Sequence, residues 1–150
     1  LTQVKVDPNI IFNDVTKTFG DPNFNLTATS SSTGAFTFTI SDTTLATVAG
    51  STVSIVAAGI TIATVSQTAD SKHLASTATM TLTINKANPT IVFNNVTKNF
   101  GDVDFDLVAS SNSSGTFSFT VSDTSVATIS DTTITIIGGG STIVTLNRQK

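Results

Sequence analysis

The chain has 150 residues and no cysteine, and its net charge of −3 comes from seven Lys and Arg against ten acidic residues. So few cations, with no basic stripe, exclude nucleic acid as a partner. The apolar runs are too short to cross a bilayer, which excludes direct membrane insertion. The lack of disulfides fits either a cytosolic protein or a bacterial surface protein.

Ser and Thr make up about a third of the chain, yet 39% of residues are hydrophobic. Every acidic residue is Asp, which favours turns over helices. Thr beside Val and Ile marks strands with one wet face. No signal peptide is visible. The pattern is already under way at Leu1, so a targeting segment is expected outside this sequence.

Residues 1–7 read as the tail of a preceding repeat or a linker. Leu1, Thr2, Lys5 and Pro8 recur as Leu82, Thr83, Lys86 and Pro89, an offset of 81. The first repeat spans 8–87. Phe24 and Leu26 open an inward-facing strand, and Phe36, Phe38 and Ile40 alternate with Thr37, Thr39 and Ser41. Val53 and Ile55 alternate with Thr52 and Ser54, and Ala78, Met80, Leu82 and Ile84 alternate with Thr77, Thr79, Thr81 and Thr83. Turns at Gly20-Asp21, Ser32-Thr33-Gly34, Asp42-Thr43-Thr44, Ala49-Gly50 and Ala57-Ala58-Gly59 separate these runs. About seven short strands in 80 residues predict an immunoglobulin-like β-sandwich.

Asn85-Lys86-Ala87-Asn88-Pro89 is the linker, and its Pro predicts a semi-rigid joint with the domains end to end. The second repeat spans 88–150. It returns Phe12 as Phe93, Val15-Thr16-Lys17 as Val96-Thr97-Lys98, Phe19-Gly20-Asp21 as Phe100-Gly101-Asp102, and Ser41-Asp42-Thr43 as Ser122-Asp123-Thr124. About half of the aligned positions are identical, without a gap. The match stops near Leu146, so this repeat is expected to lack its last strand, the counterpart of Ser76–Ile84. Either the chain is a segment of a longer array, or a neighbouring molecule supplies that strand. The expected fold is therefore all-β: two tandem immunoglobulin-like β-sandwiches, end to end.

Lys17-Thr18-Phe19-Gly20-Asp21 and the run Ser41-Asp42-Thr43-Thr44-Leu45-Ala46-Thr47-Val48 resemble the bacterial immunoglobulin-like repeats of group 2 and related types. Ser122-Asp123-Thr124-Ser125-Val126-Ala127-Thr128-Ile129 repeats the signature. The resemblance covers nearly the whole chain. It implies a non-enzymatic stalk module of a large surface adhesin or filament, extracellular on the bacterial cell surface. The expected partners are neighbouring immunoglobulin-like repeats or subunits of the same protein. Phage structural proteins carry such domains too, so the alternative is a virion or filament assembly domain completed by strand exchange.

Candidate sites are few, and none is catalytic. Asp102, Asp104 and Asp106 alternate, so on a strand they share one face and can offer oxygens to calcium, the only cofactor considered. The first copy has Asp21, Asn23 and Asn25 there; the competing reading is a solvated face opposite Phe105. His73, the only histidine, sits in a polar turn, where sequence proximity to Asp70 and Ser71 does not make a triad. Lys17 and Lys98 raise an isopeptide crosslink to Asn, weighed against a solvated Lys with a packed stem. Gly138-Gly139-Gly140 reads as a turn, since no helix and no Lys-Ser/Thr follow it. Ten Phe but no Trp or Tyr argue against a sugar-stacking face.

Overall fold

Alternation becomes strand because each apolar residue turns inward while its Thr or Ser neighbour stays wet on the opposite face. The computed structural model describes residues 1–149 and contains strands and turns with no helix among them. The chain divides into two units, Leu1–Ala87 and Asn88–Lys150.

Unit 1 carries seven strands: β1 (Val15–Thr18), β2 (Phe24–Asn25), β3 (Phe36–Ile40), β4 (Ala46–Ala49), β5 (Thr52–Ile55), β6 (Gly59–Gln67) and β7 (Ser76–Asn85). One sheet has the order β1-β7-β6-β3 and the other β2-β5-β4. Every neighbouring pair is antiparallel except β1 with β7, which run parallel from Val15↔Leu82 to Thr18↔Asn85. Two such sheets facing one core make an immunoglobulin-like β-sandwich. The core gathers Leu26, Ile40, Ala46, Val53, Ala63, Met80, Leu82 and Ile84, with Phe12, Phe24 and Phe38 packed against it. Strand β7 supplies three of those side chains. Its other face is lined by Thr, as the sequence pattern predicts.

The first residues are not detached from this unit. Val6 pairs with His73 in a parallel bridge, its N–H donating to the Lys72 carbonyl while Leu74 N–H donates to Val6.

Unit 2 carries β8 (Ile91–Val92), β9 (Phe105–Asp106), β10 (Ser110–Ser111), β11 (Thr116–Val121), β12 (Ala127–Ser130), β13 (Thr133–Ile136) and β14 (Val144–Gln149). The sheet β12-β13-β9 repeats β4-β5-β2, and β11–β14 repeats β3–β6. Its core is Leu107, Phe119, Ala127 and Ile134, with Phe93, Phe105, Val144 and Leu146 partly buried against it. The aromatic pair Phe12–Phe38 (5.8 Å between centroids) returns as Phe93–Phe119 (5.5 Å). Even the hairpin turns coincide. Gly50 turns β4 into β5 at φ 62°, and Asp131 turns β12 into β13 at φ 54°, a left-handed conformation that suits Gly better than Asp.

The units differ at one sheet. Among the described residues no strand pairs with the outer edge of β14, and Val96–Asn99, the counterpart of β1, forms no strand.

Candidate functional site

The counterparts of the residues that enclose β7 in unit 1 line an open groove in unit 2. Its volume is about 560 Å³. Phe93, Phe105, Leu107, Ala127, Ile134 and Val144 form the apolar lining, and Gly138–Gly140 and Lys98 lie along it. In unit 1 the equivalent Phe12, Phe24, Leu26, Ala46, Val53 and Ala63 pack with Met80, Leu82 and Ile84 of β7. The consequences reach individual side chains. Ala63, Val65 and Gln67 of β6 are buried, whereas Val144, Leu146 and Arg148 at the same places in β14 are half-exposed. Val96 is 54% exposed, while its counterpart Val15 is half-buried beside Leu82.

In unit 1 the strand that fills the equivalent space is bonded on both sides. In unit 1, β6 pairs antiparallel with β7 over Gly59–Gln67, and β1 pairs parallel with β7 on its far side. In unit 2, β14 is bonded to β11 on one edge only, which leaves alternate N–H and C=O groups of the other edge unpaired by strand.

Gln67 shows what the closed version adds. It is 2% exposed, its amide donates to the carbonyls of Ser32 (3.2 Å) and Gly34 (2.8 Å), and its carbonyl oxygen accepts from Ser30 Oγ (2.6 Å). A buried amide is tolerated only with such partners. Arg148 at the same place bonds Ser113 Oγ, and its Nε is buried with no partner.

A second polar cluster in unit 1 gathers around Asp70. The Asp70 carboxylate accepts from Thr33 N–H (2.9 Å), Ser32 Oγ (2.9 Å), Lys72 N–H (2.7 Å) and His73 N–H (2.6 Å). His73 Nδ1 lies 3.0 Å from it. The Thr33 N–H, the main cause, and the Lys72, His73 and Ser32 donors hold the Asp70 carboxyl far below the ordinary carboxylate range. This clasp ties the β2–β3 turn to the β6–β7 loop. Ser32 donates to Asp70 rather than to His73, so the three side chains do not form a nucleophile–base pair.

Asp42 and Asp123 repeat one turn. Asp42 Oδ1 accepts from Thr44 Oγ1 (2.6 Å) and Thr44 N–H (3.0 Å); Asp123 Oδ1 accepts from Ser125 Oγ (2.6 Å) and Ser125 N–H (2.9 Å). The hydroxyl bond, then the amide bond, lowers each carboxyl below its usual value.

The structure places the remaining sequence candidates as follows. Asp102 Oδ2 accepts from Asn99 N–H (2.9 Å) in a turn, Asp104 is exposed, and Asp106 Oδ1 accepts from Thr133 Oγ1 (2.7 Å). The span Asp102–Asp106 is not one strand, since β9 holds only Phe105 and Asp106, so the assumption of a shared strand face is corrected. Among the described residues no three His, Asp, Glu or Cys side chains gather as metal ligands. Lys17 Nζ lies 4.8 Å from the Phe24 ring centroid and Lys98 Nζ 4.9 Å from that of Phe105, a cation–π contact present in both units. Sequence reasoning missed Gln67 and the Asp70 clasp. The period-two pattern did carry a signal for Gln67, which continues the inward positions of Ala63 and Val65.

No family model matches the chain, and no curated protein matches it. Among solved structures, the fold is similar to a crystal structure of Drosophila N-cadherin EC1-4, with 12% identity and a TM-score of 0.47. The match covers 97% of this chain and 46% of that one, so this chain spans less than half the cadherin chain's length.

Proposed function

We propose that this chain is a non-enzymatic, load-bearing stretch of tandem immunoglobulin-like repeats, in the stalk of an extracellular adhesin or filament on a bacterial surface. The observation that carries this reading is the parallel pairing of β1 with β7. β1 is the first strand of unit 1 and β7 the last, so tension applied along the chain pulls the two in opposite directions. Their ladder bonds are then loaded in shear and resist together, instead of opening one by one. Supporting it, the features shared by the two units are framework features: the Phe pairs, the Asp42 and Asp123 turns, and the Lys–Phe contacts.

Single-molecule pulling from both ends tests this. Unit 1 is expected to rupture as one high-force event, releasing on the order of 250 Å of chain for its roughly 80 residues. Unit 2, with no strand on the free edge of β14, is expected to yield at lower force. Gradual extension of unit 1 without a distinct rupture would overturn the load-bearing role.

A second reading, an assembly domain of a phage or filament completed by a neighbour's strand, is favoured by one observation, the open groove beside β14.

A further inference from the structure

We infer that the outer edge of β3, repeated at β11, is a self-association surface whose partner is the same strand of a second copy of this chain. The two strands pair antiparallel about a twofold axis and join two sheets into one. The inference goes beyond both readings above and rests on neither. β3 flanks β6 on the side away from β7, and β11 flanks β14 on the side away from the groove.

Three observations point to that partner. The first is the ladder itself. Ser41 N–H donates to the Ile62 carbonyl (3.0 Å) and Thr68 N–H to the Ala35 carbonyl (3.1 Å). Bonded pairs alternate along an antiparallel ladder, so Thr37 and Thr39 carry the bonds to β6. The N–H and C=O groups of Phe36, Phe38 and Ile40 then point to the outer edge, and among the described residues no strand takes them. In unit 2, Ser122 N–H donates to the Ile143 carbonyl (2.9 Å), so Ser118 and Thr120 bond β14 while Phe117, Phe119 and Val121 point outward in the same way. The second observation is what the edge lacks. Monomeric β proteins blunt an open edge with charge, Pro or a bulge. Phe36–Ile40 and Thr116–Val121 contain no charged residue and no Pro, and each pairs with its inner neighbour residue by residue without a bulge.

The third is self-complementarity. An antiparallel pair centred on Phe38 sets Phe36 opposite Ile40 of the second copy and Thr37 opposite Thr39. The outward groups become the bonded ones, so each finds its match. The nearest charge in sequence, Asp42, stands opposite Gly34 and not opposite another carboxylate. Centred on Phe119, β11 gives the same result: Phe117 meets Val121, Ser118 meets Thr120, and Asp123 meets Gly115. The apolar row continues across the joint, since Phe36 and Phe38 (6.3 Å between centroids) and Phe117 and Phe119 (6.4 Å) run along the edge, with Phe36 and Phe117 half-buried. A foreign strand would have to bring this uncharged alternation in this register; a second copy carries it already.

The test uses the 150-residue chain. Ser118→Lys with Thr120→Lys sets like charges against each other across β11 and leaves only the β3 edge, where twofold pairing closes at a dimer. In analytical ultracentrifugation this variant is expected to pass reversibly from monomer to dimer as its concentration rises from micromolar to millimolar. Over the same range, hydrogen exchange should slow about tenfold or more at the amides of Phe36, Phe38 and Ile40, and stay unchanged at Thr37 and Thr39, which already bond β6. Adding Thr37→Lys and Thr39→Lys, at exposed positions that leave the fold intact, should weaken dimerisation by about tenfold or more. Mixing that variant with one that carries Thr37→Glu and Thr39→Glu instead should restore it, because each cation then faces a carboxylate. Mixing cannot repair a chain that has failed to fold, so restoration separates pairing from stability.

A chain that stays monomeric at millimolar concentration would overturn the proposal. So would a dimer indifferent to the changes at Thr37 and Thr39, concentration-dependent protection at an edge other than β3, or mixed variants that do not pair. None of these results bears on the rupture of unit 1 under force, so this inference and the load-bearing reading fail separately.

Discussion

Unit 1 and unit 2 are a comparison that the chain makes with itself. The same Phe, Leu and Ala residues stand at the same places, the same Asp closes the same turn, and the three-stranded sheet is the same in both. What differs is the strand beside β6 and β14. With β7 present, Leu82 is fully buried, Gln67 is buried with its hydrogen bonds made, and β1 forms as a strand. With no counterpart among the described residues, Val144, Leu146 and Arg148 are half-exposed, and Val96–Asn99 does not become a strand although it shares Val-Thr-Lys with β1. The lesson is that strand formation at β1 is not local. Val15-Thr16-Lys17 and Val96-Thr97-Lys98 have the same propensity; only the first has a neighbour to bond.

The largest effect that would sharpen this contrast is at β7, which has no counterpart among the described residues of unit 2. Leu82→Ala should lower the stability of unit 1 by about 3 kcal/mol through the cavity it opens, with the unit 2 transition unmoved in a denaturant titration followed by unit-resolved hydrogen exchange. The companion change Leu146→Ala, at a half-exposed place in β14, should cost unit 2 only about 1 kcal/mol because less apolar area leaves the core. Equal costs at the two sites would break the contrast.

Acid provides the next test. The Asp70 carboxyl titrates lower in the folded protein than in the unfolded chain, so the clasp stabilises unit 1 fully above the ordinary Asp range near 4. That stabilisation is lost progressively as pH falls below it, toward the folded value. Asp42 and Asp123 shift in the same direction, one in each unit, so acid weakens this turn in both. Between pH 5 and pH 2, unit 1 is expected to lose more stability than unit 2, and Asp70→Asn should remove most of the difference. Melting curves across that range check it, and an unchanged difference in the variant would assign the acid sensitivity elsewhere.

The smallest expected effect removes a difference in strain. Asp131→Gly should stabilise unit 2 by about 0.5 kcal/mol, since Gly adopts the left-handed φ of this turn without the Cβ clash. The reciprocal Gly50→Asp should cost unit 1 a similar amount. Thermal denaturation of the paired variants would measure both, and a destabilised Asp131→Gly would show that the Asp side chain contributes more than its backbone strain costs.

Much of the fold was legible in the residues. The alternation of Phe36, Phe38 and Ile40 with Thr gave β3, that of Ala78, Met80, Leu82 and Ile84 gave β7, and the offset between Pro8 and Pro89 gave two units on one plan. The site was legible only as a register mismatch near Leu146. For the alternating Asp102, Asp104 and Asp106, period two says which face a residue takes only if the segment is a strand, and here only Phe105 and Asp106 are. The Asp70 clasp was hidden because its donors, Ser32 and Thr33, lie far away in sequence and are joined to it only by the fold.

By itself, then, the sequence determined which segments alternate as potential strands, and the duplication. Side-chain polarity alternating at period two is a local property, and a copy offset by a constant number needs no folding to be read. Tertiary structure decided which copies of a shared segment become strands, which side chains are sealed and where an edge stays open. Those outcomes depend on whether a partner backbone is present to take the hydrogen bonds and cover the apolar row, and no segment carries that information alone.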